Sequence, residues 1–432
     1  MQLNNKTKVA APAKGTVLPS KVNRLADGYE KKPTSWRIRV IWLLALLLIG
    51  LGVALFRSGA IAAGITLIAA TMAAILIIFI AGHFLLANML GRRDMPQIQD
   101  NPGEWLSSEN AMESIAPNLS DDELTTINLN RAVEARAVRT WLETCTVPRR
   151  IQVRSDDNTL LSGRMYPASR RQRPWVVFFH GFGGCWRDNL GHARAYAELD
   201  FNIMLVDMRA HNESDGNWSG LGLLDRRDVV AWCSWIVART GQNTQIVLHG
   251  QGYGAVSILM ATQEKDLPPQ VRGCICDAAF TDAWNEIYGL LGEGLGRPHP
   301  KLDLIRYALR REPNGYDLAD AKPLSMIRGS NIPLLIIHGE EDVLTAPYMG
   351  AFLAMAAGCE HEPIIERFAR RECGEQATDA LICKSEAGSE FLLIPHAGHC
   401  QSCFADPATY YGEVFGFVAL HVDLALIDDA EE

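Results

Sequence analysis

Two long apolar runs, Val40 to Phe56 and Ile61 to Ile80, stand out from an otherwise mixed chain. Each approaches the ~20 residues that a helix rising about 1.5 Å per residue needs to cross a bilayer. The break at Arg57, Ser58 and Gly59 is too short for a domain but long enough for a tight turn. The pattern therefore predicts a transmembrane helical hairpin over 40–90, with helices at 40–56 and 60–82. Residues 1–39 and 91–118 are polar, and the first of these stretches, with Pro12, Pro19, Pro33 and many lysines, reads as a disordered basic tail. Ser120 followed by Asp121, Asp122 and Glu123 forms a capping box for a helix running toward Leu142, so 91–146 reads as a linker and a helix.

Beyond residue 147 short β-branched or apolar runs alternate with longer helical patterns, which predicts an α/β domain over 147–425, a mostly parallel sheet with helices on both faces. Strands are expected at 151–154, 160–166, 175–180, 202–207, 245–249, 273–277, 334–338 and 391–395. Helices are expected near 187–199, 223–239, 253–263, 346–357 and 407–421. Two intervals exceed what a crossover needs. Residues 282–326 are expected to form a helical cap, 358–389 an insertion, and 426–432 an acidic tail.

Charge narrows the partners. A formal net charge of -9 argues against nucleic acid, which needs a concentrated basic surface. Basic residues gather instead before the first apolar run, at Lys6, Lys8, Lys14, Lys21, Arg24, Lys31, Lys32, Arg37 and Arg39, and Arg92 and Arg93 follow the second. The positive-inside rule then puts both ends in the cytoplasm of a two-span membrane protein, whose first partner is the lipid bilayer. The long basic leader and the lack of a small-residue cleavage site between the runs argue against a cleaved signal peptide. Ten scattered cysteines suit a reducing compartment better than a disulfide framework.

The chemistry lies in five motifs. They are HGFGG at 180–184, DMRAHNESDG at 207–216, GQGYG at 250–254, HGEED at 338–342 and AGH at 397–399, each at a strand end. Their order and spacing resemble the α/β-hydrolase superfamily over roughly Val147 to Leu424, in particular its serine-aminopeptidase-like and esterase-like members, including bacterial ones with an N-terminal membrane anchor. The resemblance implies an α/β-hydrolase fold of about eight strands with a helical cap. It also implies an oxyanion hole from the backbone N–H groups of Phe182 and Tyr253, a triad acid at Asp342 and a base at His399. The 207–216 loop is chiefly structural in that family, with Asn212 where glycine is usual.

The nucleophile is missing. Where GxSxG carries its serine this chain has Gly252, so a serine-esterase mechanism is excluded. Losing a triad nucleophile typically costs about a millionfold in turnover. Glycine also relieves the backbone strain of an elbow, roughly 1 to 3 kcal/mol, as expected of a retired site. Three substitutes come into question: Cys185 just after the oxyanion glycines, Ser257 in the following helix, and a water activated by His399.

Cys400 and Cys403 form a CxxC after His399, and with Cys373, Cys383, His361 and His396 could make a zinc or redox site, but the spacing matches no finger pattern. No metal and no cofactor is therefore expected. In the cap Trp284, Ile287, Tyr288, Leu290, Leu291 and Leu295 make an apolar stripe that would favour a small apolar or acyl ligand in any pocket beneath it. The expected protein is thus of serine-hydrolase descent, silent or very slow, binding a ligand or partner in the old cleft. The alternative is an active hydrolase of ester, thioester or peptide bonds using Cys185 or activated water. Oligomeric state is not legible in the chain.

Overall fold

The computed structural model describes residues 36–94, 119–170, 172–290, 300–328 and 330–423. Most of the expected tail and linker, Leu291 and Leu295 of the cap stripe, and the acidic C-terminus lie outside them. The two apolar runs form helices α1 (Trp36–Arg57) and α2 (Ile61–Leu90), both long and apolar enough to cross a membrane by length and composition. Helix α2 continues eight residues past the expected end at residue 82. Its last turns are amphipathic rather than apolar all round, and they bury Leu86 and Leu90 in the core of the following domain.

The capping box forms as expected, Ser120 and Glu123 exchanging hydrogen bonds at the start of α3 (Asp121–Thr144). The domain then lays down β1 (Arg149–Arg154), β2 (Leu160–Tyr166), β3 (Trp175–Phe179), α4 (Leu190–Ala197), β4 (Asn202–Val206), α5 (Asp225–Thr240), β5 (Ile246–Gln251), α6 (Tyr253–Ala261) and β6 (Val271–Asp277). After the cap helices α7 (Ala283–Leu290) and α8 (Pro300–Leu309) come β7 (Leu334–Gly339), α9 (Pro347–Ala356), α10 (His361–Glu372), β8 (Leu381–Lys384), β9 (Glu390–Ile394) and α11 (Pro407–His421).

The sheet order is β1-β2-β4-β3-β5-β6-β7-β9-β8. Neighbours from β4 to β9 run parallel, and antiparallel pairs close both edges. The ninth strand, β8, comes from the insertion. Its four residues are too few to show a period, so eight strands were expected. The strands β3, β5 and β7 are buried along their whole length, which is why they read as continuous apolar runs. One face packs Trp232 of α5 and Val256, Leu259 and Met260 of α6; the other packs Tyr196 of α4 with Tyr410 and Phe417 of α11.

The hairpin is built into this domain. Leu90 O accepts from Ser219 N at 2.8 Å, Arg93 exchanges backbone hydrogen bonds with Ala210 and Asn212 at 2.8 Å each, and the Arg92 guanidinium donates to Asn212 O and Ser214 O. On the opposite side α8 lies along α2, with Leu304 and Ala308 over Gly82, and His83 pairs with Glu312 at 2.8 Å. Between hairpin and cap is a cavity of about 210 Å³ walled by Ile41, Trp42, Ile75, Phe79, Leu304 and Tyr307.

Candidate active site

The strand β5 delivers its chain to a sharp turn at Gly252, where φ is +49° and ψ −112°, and α6 starts at the next residue. A residue with a β-carbon is strained at such a φ, and glycine is not. The turn is held by Gly252 N donating to Asp277 O at the end of β6, 2.7 Å away. It is also tight from below, since a β-carbon on Gly250 would come within 2.6 Å of Ala255 N. The elbow geometry is thus present without its side chain.

His399, after β9, faces this elbow. Its Nδ1 lies 2.8 Å from Asp342 Oδ2, and its Nε2 lies 3.2 Å from the point a β-carbon on Gly252 would occupy. Asp342 sits in the turn after β7, where its Oδ1 accepts from Leu344 N and Thr345 N, both at 2.9 Å. Beneath it His338 donates to Thr345 O at 2.8 Å and stands 3.4 Å from Oδ2 of Asp342. Burial pushes the Asp342 carboxyl up, but the His399 charge and the hydrogen bonds from His338 and His399 outweigh it and hold the group well below the usual carboxylate range. For His399 burial alone would favour the neutral ring. The charges of Cys400, when a thiolate, and of Asp342 reverse this and hold it well above the usual histidine value. With Nδ1 bound to the carboxylate, Nε2 is the nitrogen turned to the cleft.

The 180–184 loop is fixed by two buried histidines, His180 and His211. His180 Nε2 accepts from Met208 N at 2.9 Å, and burial first, then His211, pushes its pKa down to about 3. His211 accepts from Gly183 N at 3.1 Å through Nε2 and meets Arg209 O at 2.8 Å through Nδ1, so it is a brace of the loop. Arg209 is itself clamped by Asp228 through two hydrogen bonds of 2.6 Å. Asn212 adopts the left-handed conformation its glycine-like position suggested, with φ +46°. The N–H groups of Phe182 and Tyr253 donate to no backbone acceptor among the described residues, as an oxyanion hole requires. Arg93, just past the hairpin, lies 5.4 Å over the ring of Phe182.

The expected substitutes fare differently. Cys185 is fully buried; burial first, then the charge of Asp188, pushes its thiol up to about 12, and Asp188, Arg187 and Asp207, not His399, surround it. Ser257 Oγ donates to Tyr253 O one turn back along α6, at 2.9 Å, and is equally enclosed. Among the described residues no three His, Cys, Asp or Glu side chains cluster to hold a metal, and Cys373 is exposed on its own helix end.

Two residues were not singled out for the site. Glu286 of α7 hangs from the cap near Asp342, accepting from Thr345 Oγ1 at 2.7 Å, while its Oε2 is shielded from solvent and has no hydrogen-bond partner among the described residues. Burial pushes this carboxyl up to about 7. Cys400, read only as half of a CxxC, is electrostatically linked to His399: burial raises its thiol and the His399 charge pulls it down. Adjacency to the base was the signal in the sequence.

Residues 176–412 match the profile of a family described as "Alpha/beta hydrolase family". A curated relative, the protein YqkD of Bacillus subtilis (strain 168), is 24% identical over 168 residues, 39% of this chain and 54% of its own length, so the chain spans about half of that relative. Among solved structures the esterase Pf2001 of Pyrococcus furiosus is similar at 14% identity, with 64% of this chain and 93% of that one covered and a TM-score of 0.46. The hydrolase GrgF of Penicillium sp. sh18 is similar at 17%, covering 64% and 99%, with a TM-score of 0.46. The acylaminoacyl peptidase of Pyrococcus horikoshii is similar at 15%, covering 65% and 43%, with a TM-score of 0.43.

Proposed function

The chain belongs to the alpha/beta hydrolase family, whose profile covers more than half of it, and we propose that it is a two-span membrane protein whose old hydrolase cleft binds an acyl-type ligand without serine-hydrolase turnover. The observation that carries this is the ordered remainder around an empty nucleophile position. Gly252 is in the elbow conformation, His399 Nε2 faces it, Asp342 holds the ring, and two amide donors are free. Such a cleft still offers donors to a carbonyl or carboxylate oxygen.

Both halves of the proposal have support. The basic leader and Arg92 and Arg93 flank α1 and α2 in the manner of cytoplasmic ends. The apolar cavity between hairpin and cap, walled by Trp42 and Phe79 and by no residue of the cleft, would suit an acyl chain arriving from a bilayer. Titrating detergent-solubilised full-length protein with a fatty acid tests the cleft. Binding that weakens in His399→Ala, together with no labelling by a fluorophosphonate probe, is expected. Labelling of the natural protein by that probe would overturn the loss of serine chemistry, and binding unaffected by His399→Ala would move the ligand out of the cleft.

A further inference from the structure

We propose that the cavity between hairpin and cap binds one acidic phospholipid of the surrounding bilayer, with an acyl chain inside it and the phosphate held by Arg39 and Arg311. This rests on the reading of α1 and α2 as membrane spans and is separate from any ligand of the cleft. The space, about 210 Å³, is walled by Ile38 and Trp42 of α1, by Ile75 and Phe79 of α2, and by Leu304 and Tyr307 of α8. No charged side chain lines it. Apolar cavities of about this size stay dry and take up hydrocarbon. Two of the three enclosing elements are membrane helices, so the medium at the mouth is lipid rather than water.

The rim carries the charge that the wall lacks. Arg39 is exposed on α1, one turn before Trp42. The Trp42 ring lies 6.3 Å from that of Tyr307, and the guanidinium of Arg311, just past the end of α8, sits 3.4 Å over the Tyr307 ring and donates to Tyr307 O at 3.0 Å. Two arginines thus flank the aromatic pair that joins α1 to α8. Among the described residues neither of them pairs with a carboxylate, whereas Arg306 and Arg310 are both held by Asp317, at 2.6 and 3.6 Å. The neighbouring acid, Glu312, is taken by His83. A phosphate offers charge and oxygens that match a guanidinium fork. A zwitterionic headgroup adds an ammonium that the same two arginines repel.

Depth agrees with this. Arg39 and Trp42 belong to the first two turns of α1, and Phe79 stands one turn before His83, where α2 meets Glu312 beyond the end of α8. The cavity therefore lies at the end of the hairpin next to the folded domain. That is the level at which a bilayer presents its headgroups and at which tryptophan and arginine gather. A lipid seated there touches α1, α2 and α8 at once and fastens the cap to the hairpin. Because it binds this assembly and not the separated parts, it also stabilises the docked cap.

Full-length protein in dodecyl maltoside is titrated with phosphatidylglycerol or with phosphatidylcholine of the same chains, and bound lipid is counted by native mass spectrometry. Expected is one retained phosphatidylglycerol per chain, bound about 30-fold more tightly than phosphatidylcholine, the effect of two basic groups on an anionic lipid. Arg39→Gln combined with Arg311→Gln should bring phosphatidylglycerol down to the phosphatidylcholine level, and Arg310→Gln should leave the preference intact. Ile75→Trp, which fills the cavity without changing charge, should abolish retention. His399→Ala should keep the lipid, because the cleft supplies no wall of this cavity. Circular dichroism of each variant separates lost lipid from lost fold. A preference that survives the double exchange, as the basic leader alone would give, overturns the proposal. So does equal retention of the two lipids by the natural protein, or retention indifferent to Ile75→Trp. Full-length protein that stays monodisperse without detergent or lipid would overturn the membrane spans themselves, and the proposal with them.

Discussion

His399 Nε2 stands 3.2 Å from the point where a β-carbon on Gly252 would sit, with Nδ1 of the same ring 2.8 Å from Asp342. That clearance is slightly tight, so a serine there would move the ring by a few tenths of an ångström and bring its hydroxyl into reach. Gly252→Ser is therefore expected to become labelled by a fluorophosphonate probe and to hydrolyse p-nitrophenyl esters. Adding Asp342→Asn should then remove about 10⁴-fold of the new activity, since the ring loses its tautomer. The φ of +49° predicts a cost of about 1 to 3 kcal/mol in stability for the serine. An unlabelled, folded Gly252→Ser protein would show that acid, base and oxyanion donors are out of register.

The Asp342–His399 pair predicts a stability window. Asp342 titrates below the usual aspartate value of 3.8 in the folded state, so its contribution is complete above about that pH and lost as pH falls toward the lower folded value. His399 titrates above 6.5, so its contribution is complete below about 6.5 and fades as pH rises through the higher folded value. Both are present together between about 4 and 6.5. The difference in melting temperature between natural protein and His399→Gln should be largest there and shrink on either side. A difference flat from pH 4 to 9 would contradict the ion pair.

The alternation of apolar runs and the five motifs make most of this site legible in the sequence. They do so because a strand end, a glycine turn and a buried His or Asp are each local in sequence. What stayed hidden depends on distance. Glu286 looks like any helix carboxylate until the cap folds over Thr345, and Arg93 like a membrane-flanking charge until it meets Phe182. Cys185 looked exposed from its place beside the oxyanion glycines, whereas the fold buries it fully and burial, then the Asp188 charge, pushes its thiol up. The insertion escaped assignment because α10 is strongly charged and β8 only four residues long. The expected end of α2 at residue 82 falls short because its apolar face narrows to Leu86 and Leu90 where the helix enters the domain core.

Leu90 tests how firmly hairpin and domain form one unit. It is 1% exposed, lies in the main core, and sits two residues before the arginines that bind the 210–214 loop. Leu90→Ala is expected to destabilise the hydrolase domain by about 2 to 5 kcal/mol, the range for a buried leucine leaving a cavity. Denaturant unfolding followed by tryptophan fluorescence in detergent checks this. A change below about 0.5 kcal/mol, the usual size for a surface position, would mean that the hairpin is only tethered to the domain.

Glu286 gives the cap a pH dependence of its own. Its carboxyl is raised from 4.5 to about 7, by burial first, with ionised Asp342 also opposing its charge while the Thr345 hydroxyl and the charges of His399 and His338 act the other way. A raised carboxyl binds in the folded state a proton that the unfolded chain has released, so stability falls as pH rises from about 4.5 to 7 and the loss persists above that. Glutamine keeps an oxygen for the Thr345 hydroxyl at the 2.7 Å contact and has no charge to bury. Glu286→Gln should therefore be more stable than the natural protein at pH 8 and nearly equal to it at pH 4.5, as read by denaturation midpoints at the two pH values. Equal differences at both would mean that Glu286 ionises freely and that the cap leaves it in water. The same exchange should also let the cleft accept a fatty-acid carboxylate as readily at pH 8 as at pH 6, because the competing charge beside Asp342 is gone.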